Sequence, residues 1–153
     1  MAAELSRRGL VAVDADGFAG WESAAGAEVD QPENADDDWL LSHRWVWRRA
    51  LLERFVSTQP AGEHVFVCGI AMNQRAMLDI FDEVFLLRLD HSTQLGRLDT
   101  VSNAHRTAAL RAQILDGRPV FQQEMVASGA RVLDGRQPTS LLADQILRMV
   151  SRA

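Results

Sequence analysis

Short apolar runs alternate with segments of helical periodicity along the chain. The runs LVAVDAD, HVFVCGI, DEVFLLRLD and ARVLDGRQP occupy residues 10–16, 64–70, 82–90 and 130–138. Helical spacing covers residues 2–8, 38–57, 73–81, 92–98, 105–127 and 139–152. Because each run is nearly continuous in apolar character, we expect strands buried on both faces of a parallel sheet. The alternation predicts an α/β fold with helices on both sides of that sheet.

Several helix boundaries carry specific signals. Gly9 follows the first helical segment, where a glycine commonly ends a helix. Residues 36–38 are all aspartate and stand where they can cap the helix that follows. Within residues 105–127, Gly117 and Pro119 predict a break.

Composition and periodicity predict the structure of two segments between the first and second runs. Residues 17–38 are rich in glycine, alanine and acids, which predicts a long loop. Residues 38–57 have broadly helical spacing of apolar positions. In such a helix Trp45 packs in the core, while Trp47 lies about 200° around the axis and faces solvent or ligand.

The composition is typical of one soluble domain, so we expect residues 1–153 to form a single domain. Apolar residues make up 47% and charged residues 24%, with a net charge of −5. No stretch approaches the roughly 20 apolar residues that span a bilayer, and the first residues do not resemble a secretory signal. The one cysteine, Cys68, cannot form an internal disulfide. We therefore expect a cytoplasmic protein that binds neither membranes nor nucleic acid.

The basic residues are unusual. All 16 are arginine, and the chain has no lysine. Any mechanism that requires a lysine, such as a Schiff base or a lysine phosphate clamp, is excluded for this chain.

Polar residues mark the ends of the predicted strands. Asp14 and Asp16 follow the first run, Gly69 ends the second, Asp90 the third, and Asp134 the fourth. In open α/β sheets ligands bind beyond the carboxyl ends of the strands, so we expect the functional site there. Alternation along a strand would put Asp14 and Asp16 on the same side. The competing interpretation is that these acids only cap the turns that follow.

The order of these elements resembles small P-loop kinases of the shikimate, adenylate and nucleoside kinase type, including short ATP-binding proteins of the AAA family. The resemblance is carried by ELSRRGLVAVDADGFAGW, VFVCGIAMNQRAMLDIFDEVFLLRLD and ARVLDGRQPTSLLADQIL, at residues 4–21, 65–90 and 130–147. It implies a P-loop NTPase-like parallel sheet flanked by helices, with strand order 2-3-(1)-4-5. Relative to that family the chain is N-terminally truncated, because the first strand and the GxxxxGKS/T loop are missing.

The resemblance also implies a chemistry, namely phosphoryl transfer from ATP with Mg²⁺ to a nucleoside or another hydroxyl-bearing small molecule. The implied catalytic residues are Asp14, Asp16, Arg97 and Arg106, with Asp14 also at the metal. The implied substrate-binding residues are Gly17, Trp21, Gly69, Asn73 and Gln74. The implied ATP-binding residues are Asp134, Gly135 and Pro138.

The implied lid departs from the family pattern. Arg97 and Arg106 flank LDTVSNAH, where the family usually has an R-x-N-N-P-like run, whereas residues 101–104 here are VSNA. For these arginines, solvated helix positions are the competing interpretation. For Trp21 the alternative is a ring that pins a loop to the core, and for Cys68 it is an inert buried thiol rather than a nucleophile.

The missing loop has two expected consequences. Without its backbone N–H groups and its lysine, the chain should neither bind ATP tightly nor catalyse transfer by itself. Without the central strand, the strands at 64–70 and 83–89 must pair directly, leave a gap, or borrow a strand, for example in a homodimer. We expect either that Met1 lies downstream of the true start, or that the chain is a non-catalytic remnant acting as a binding or assembly module. A third hypothesis is an unrelated α/β binding domain whose strand-end acids are coincidental.

Overall fold

The computed structural model describes residues 1–100 and 107–151. The helices are α1 (Ala2–Arg7), α2 (Asp37–Ser42), α3 (Arg49–Ser57), α4 (His91–Thr100), α5 (Ala108–Ala127) and α6 (Thr139–Val150). The strands are β1 (Val11–Asp14), β2 (Ala19–Glu22), β3 (Glu28–Val29), β4 (Arg44–Trp47), β5 (Val65–Cys68), β6 (Phe85–Arg88) and β7 (Arg131–Asp134). Two 3₁₀ helices cover Ala15–Phe18 and Gln74–Ile80. Among the described residues, no helix is both long and apolar enough to cross a membrane.

The fold is mixed α/β, with small parallel and antiparallel sheets flanked by helices. β1 pairs with β5 in parallel, and β6 pairs with β7 in parallel. β2 lies between β3 and β4 in an antiparallel sheet of three strands. The four strands predicted from the apolar runs are therefore confirmed. The single large parallel sheet is not formed, because no ladder joins β5 to β6 in the described part of the chain.

The region between β1 and β5 differs most from the sequence prediction. The segment predicted as a long loop contains β2 and β3, and the segment predicted as one helix is divided into α2, β4 and α3. The helix is interrupted because the run from Arg44 to Trp47 is aromatic and β-branched and pairs along its whole length with β2, with Trp45 opposite Trp21. Consequently the predicted environments of two tryptophans were wrong: Trp47 is buried and Trp45 is only half-buried.

Several helix boundaries follow the sequence signals. The prediction that an aspartate caps the second helix is confirmed, because the Asp36 carboxylate accepts a hydrogen bond from the Trp39 N–H at 2.9 Å. Gly9 ends α1 with a φ of 83°, in the left-handed region that favours glycine. The predicted break in α5 was wrong, since the helix continues through Pro119.

Buried side chains form three clusters around the strand pairs. One joins Ala15, Trp47, Leu52, Ala71 and Met77 near the end of β1. A second joins Leu86, Met125 and Ala130 between β6 and α5, and a third joins Leu133, Leu142 and Ile146 between β7 and α6. Met1 and Phe66 pack against the third cluster together with Phe85 and Leu87, so α1 and β5 reach the helix that follows β7.

The two parallel pairs run in opposite directions. The Arg8 guanidinium, just after α1, donates to Asp144 and to the Ser140 carbonyl near the start of α6. Met1, at the other end of α1, packs against the cluster that contains Leu142 and Ile146 of α6. Thus α1 and α6 lie antiparallel, and each folds back on its neighbouring strand. Ile80 and Phe81, just before β6, pack against the cluster at the end of β1. After β5, Gln74 contacts the Met125 sulfur and Arg75 pairs with Glu124, both at the end of α5 that leads into β7. The end of β5 therefore lies near the starts of β6 and β7, and the strand-end acids do not share one edge.

Candidate functional site at the carboxyl end of β1

Asp14 and Asp16 lie at the end of β1 but not on one strand face. β1 ends at Asp14, and Asp16 belongs to the 3₁₀ helix that follows. The Asp14 Oδ1 accepts a hydrogen bond from the Asp16 backbone N–H at 3.0 Å, so this carboxylate caps the turn. Both side chains are exposed. The expectation that strand alternation aligns them was therefore wrong, because an Asp side chain favours ending the strand in a local turn.

A group of tryptophans borders Asp16. The Trp45 Nε1 lies 3.4 Å from the Asp16 Oδ1, to which it donates a long hydrogen bond. The Trp21 ring packs edge-to-face with Trp45 and with Trp39, at centroid distances of 5.3 and 5.1 Å. All three rings are half-buried, so each keeps part of its surface toward solvent. We call Trp21, Trp39 and Trp45 the tryptophan wall.

Two further residues hold this wall in place. The Trp21 Nε1 donates to the Gln31 Oε1 at 3.1 Å. The His43 ring stacks on Trp39 with centroids 4.1 Å apart, and its Nδ1 lies 2.7 Å from the Trp39 carbonyl oxygen. Sequence reasoning missed both residues. The aromatic and β-branched run at residues 45–47, which favours a strand, was the signal that could have placed this segment beside Trp21.

Gly69 is required by packing at this end of the sheet. A Cβ at Gly69 would stand 2.6 Å from the Cβ of Ala15, which is fully buried. Glycine therefore lets the end of β5 approach the 3₁₀ turn that carries Asp16. Gly17, in that turn, has open space around its Cα and is exposed.

Asn73 and Gln74 contact protein groups. The Asn73 Oδ1 accepts from the Trp47 N–H and its Nδ2 donates to the Trp47 carbonyl, both at 2.8 Å. This amide thus anchors β4 to the segment after β5. Gln74 is only 6% exposed; its Oε1 lies 3.4 Å from the Ala71 N–H and its Nε2 lies 3.5 Å from the Met125 sulfur, both long contacts.

Cys68, one residue before Gly69, is half-buried in β5. Burial raises the pKa of its thiol above the usual range. A raised pKa leaves less thiolate at neutral pH and disfavours a nucleophilic role, in agreement with the expected inert thiol.

A second group of strand-end acids lies at the other end of the molecule. The Arg136 guanidinium forms a two-pronged hydrogen bond with Asp134, at 2.8 and 2.9 Å, and lowers the pKa of that carboxyl. The pKa of Asp90 is lowered to about 2, chiefly because the Thr93 backbone N–H donates to its carboxylate. Arg136 also stands 3.7 Å from Asp90, so one arginine faces both acids.

The residues implied for ATP binding belong to this second group. Gly135 is buried, and a Cβ there would lie 2.9 Å from the Arg88 carbonyl oxygen. The Arg97 Nη2 donates to the Gly135 carbonyl at 2.7 Å. Pro138 is exposed and directly precedes α6. Arg106 lies outside the described residues. The structure therefore gathers Asp14, Asp16 and Trp21 near one end and Arg97, Asp134 and Gly135 near the other.

The described residues show no preformed cluster of metal ligands, and the chain has no lysine to clamp a phosphate. In the described part of the chain, no three histidine, cysteine, aspartate or glutamate side chains are grouped so that they could hold a metal ion. Asp14 uses one oxygen to cap its turn, and the chain offers no lysine.

Comparison of the chain with models of known protein families, with curated proteins and with solved structures found no match. The kinase resemblance accordingly remains a prediction from sequence.

Proposed function

We propose that this chain is a kinase-like domain that binds a nucleoside or another hydroxyl-bearing small molecule beside Asp16, and that it does not by itself transfer phosphate from ATP. One observation carries the proposal: an exposed carboxylate lies against half-buried tryptophan rings, with Trp45 donating to Asp16. A flat base can pack on an aromatic face, while a carboxylate accepts hydrogen bonds from sugar hydroxyls. The ATP and Mg²⁺ implied by the resemblance would need groups that this chain does not contribute.

Direct titration tests the proposal. The chain is titrated with a panel of nucleosides, with free ribose and with Mg-ATP, and binding is followed by calorimetry and by tryptophan fluorescence. We expect a nucleoside to bind more tightly than ribose, because only the nucleoside engages the tryptophan wall. Asp16→Ala should weaken nucleoside binding about tenfold or more, the usual cost of losing a hydrogen bond to a charged group.

Asp134→Ala is the matched control, since it removes a strand-end acid at the opposite end and should leave nucleoside affinity unchanged. Failure of every nucleoside to bind at millimolar concentration would refute the acceptor site. Tight Mg-ATP binding with phosphate transfer by the 153-residue chain would refute the second half of the proposal.

The absence of a ladder between β5 and β6 in the described part of the chain favours a second candidate function, that of a non-catalytic binding or assembly module. In that case Asp14 and Asp16 serve only to cap the turn after β1, and the substitution of Asp16 changes no ligand affinity.

A further inference from the structure

A cavity of about 790 Å³ separates β5 from β6. Every residue of β5 lines it, as do the first residues of β6 and residues from both flanking layers. Met1 and Ile146 approach it from the α1 and α6 side, and Phe121 and Met125 from the α5 side. The space thus lies within the sheet layer and is covered on both faces.

The two strands that border the cavity each have a free edge. Within the described residues β5 pairs only with β1, and β6 pairs only with β7. Alternate N–H and C=O groups of β5 and β6 therefore point into the cavity without a ladder partner. Buried backbone groups of this kind are normally satisfied, so the cavity presents hydrogen-bonding capacity on two opposite walls.

Two side chains add to that capacity. Trp47 lines the cavity and is 7% exposed, and its Nε1 is a buried donor with no acceptor among the described residues. Gln74 also lines the cavity, and both of its hydrogen bonds are long. An apolar molecule would satisfy neither group, whereas a peptide backbone offers acceptors and donors to both.

Both mouths of the cavity are acidic. Because β5 and β6 run in opposite directions, Glu63 before β5 and Asp82 before β6 lie at opposite mouths. Both side chains are exposed, and both residues line the cavity. Glu83 is beside Asp82 but is paired with Arg131 at 2.6 Å. An occupant is therefore favoured when its middle is apolar and each of its ends carries positive charge.

We infer that this cavity receives one extended strand of a partner protein, with about four apolar residues between two basic residues. The length follows from β5, whose four residues span about 13 Å at the usual rise of a strand. The strand would pair with β5 on one side and with β6 on the other, parallel to one and antiparallel to the other, and would join the two pairs into one sheet. This is strand addition between two edges rather than at one. It does not depend on the proposed acceptor site.

A synthetic peptide tests the inference on the whole chain. The probe has four alternating valine and isoleucine residues between two arginines, with both ends blocked. The control peptide has the same side chains but N-methylated residues in its middle, which removes the backbone donors. Cys68 is the reporter, because it is the one cysteine of the chain and lines the cavity. Its alkylation by a maleimide is measured with each peptide.

We expect the probe peptide to slow Cys68 alkylation about tenfold at ten times its dissociation constant, because only the free chain reacts. Backbone amides of β5 and β6 should gain protection from hydrogen exchange at the same concentrations. Equal protection by the N-methylated peptide would overturn strand addition in favour of simple apolar filling. No protection by either peptide at millimolar concentration would also overturn it.

Two substitutions test the preference for basic ends, and both are at exposed positions where the fold should tolerate them. The double variant Glu63→Arg/Asp82→Arg should bind the arginine-flanked peptide about fivefold more weakly than the wild type does. It should bind a glutamate-flanked peptide about fivefold more tightly. Unchanged affinity for both peptides would contradict the basic ends assigned to the partner. If the free chain sediments as a dimer whose β5 and β6 amides are already protected, a second copy occupies the cavity and the partner assignment is wrong.

Discussion

The ends of β1 and β7 carry the same kind of residue in different surroundings. At the end of β7, Asp134 is held by both prongs of Arg136, and Arg136 also faces Asp90. At the end of β1, Asp14 caps its own turn and Asp16 meets an indole N–H. Asp134 is held in an ion pair with Arg136, whereas the exposed Asp16 carboxylate keeps lone pairs toward solvent. A strand-end acid is thus a candidate for ligand binding only when its neighbours leave its charge unneutralised.

The largest expected effect concerns the glycines at these two ends. Gly69→Ala should lower the free energy of unfolding by about 2–3 kcal/mol, since its Cβ would stand 2.6 Å from that of buried Ala15. Gly135→Ala should cost less, about 1–2 kcal/mol, because its two nearest atoms, the Arg88 carbonyl oxygen and a carbon of the flexible Leu89 side chain, are both 2.9 Å from the added Cβ. Urea denaturation measures both.

Gly17→Ala is the control for that series, because a Cβ there meets nothing within 4 Å. It should leave stability nearly unchanged. If Gly135→Ala proves more costly than Gly69→Ala, the end of β1 is less tightly packed than the end of β7, and the comparison between them reverses.

The next effect concerns one side-chain amide at each end of the molecule that hydrogen-bonds to backbone groups. Asn73→Ala should cost about 2 kcal/mol in unfolding free energy, because it leaves the N–H and C=O of Trp47 without their partner. Gln122→Ala at the other end should cost under about 0.5 kcal/mol, since the Leu89 carbonyl that it bonds also accepts from Arg118. Thermal and urea unfolding give both values.

Asn73→Asp is a useful third member, because it keeps the acceptor for the Trp47 N–H but sets a carboxylate oxygen against the Trp47 carbonyl, and it should destabilise the fold about as much as Asn73→Ala. Should Asn73→Ala leave stability intact while nucleoside binding is lost, the amide would be a ligand group rather than an anchor.

The smallest effect is a change in ionisation without a large change in stability. Arg136→Gln should raise the pKa of Asp134 toward its ordinary value, because Arg136 is the main cause of its lowering. The pKa of Asp90, lowered to about 2, should rise much less, because hydrogen bonds from Thr93 and Ser92 are its main causes. Carboxyl-carbon NMR titration resolves the two midpoints.

The sign of the pH effect follows from these lowered values. A carboxyl whose folded pKa lies below its unfolded pKa stabilises the fold above the unfolded value near 3.8 and loses that contribution as pH falls toward about 2. Arg136→Gln should therefore reduce the stability that is lost at low pH through protonation of Asp134, because the folded pKa of Asp134 moves closer to its unfolded value. An equal rise of both pKa values would show that Arg136, and not the local turn, controls Asp90.

The sequence predicted local structure better than long-range placement. The four apolar strands, the Asp36 cap and the Gly9 helix end depend on neighbouring residues, and all three predictions were confirmed. The helix over residues 38–57 was wrong because the pairing of Trp45 with Trp21 is a contact across 24 positions that periodicity does not detect. The gathering of all strand-end acids at one edge was wrong for a similar reason: strand direction is fixed by helix contacts such as that of Arg8 with Asp144.

The passage of α5 through Pro119 has a consequence for how the molecule opens. Proline has no N–H, so the carbonyl of Leu115 lacks its helical partner, and Pro119 lies on the exposed side. After it, Phe121 and Met125 pack against β6; before it, no residue from Ala108 to Arg118 is fully buried. The helix should therefore behave as two cooperative units, in which the first half exchanges its amide hydrogens through local opening while the second exchanges only when the β6–β7 pair unfolds.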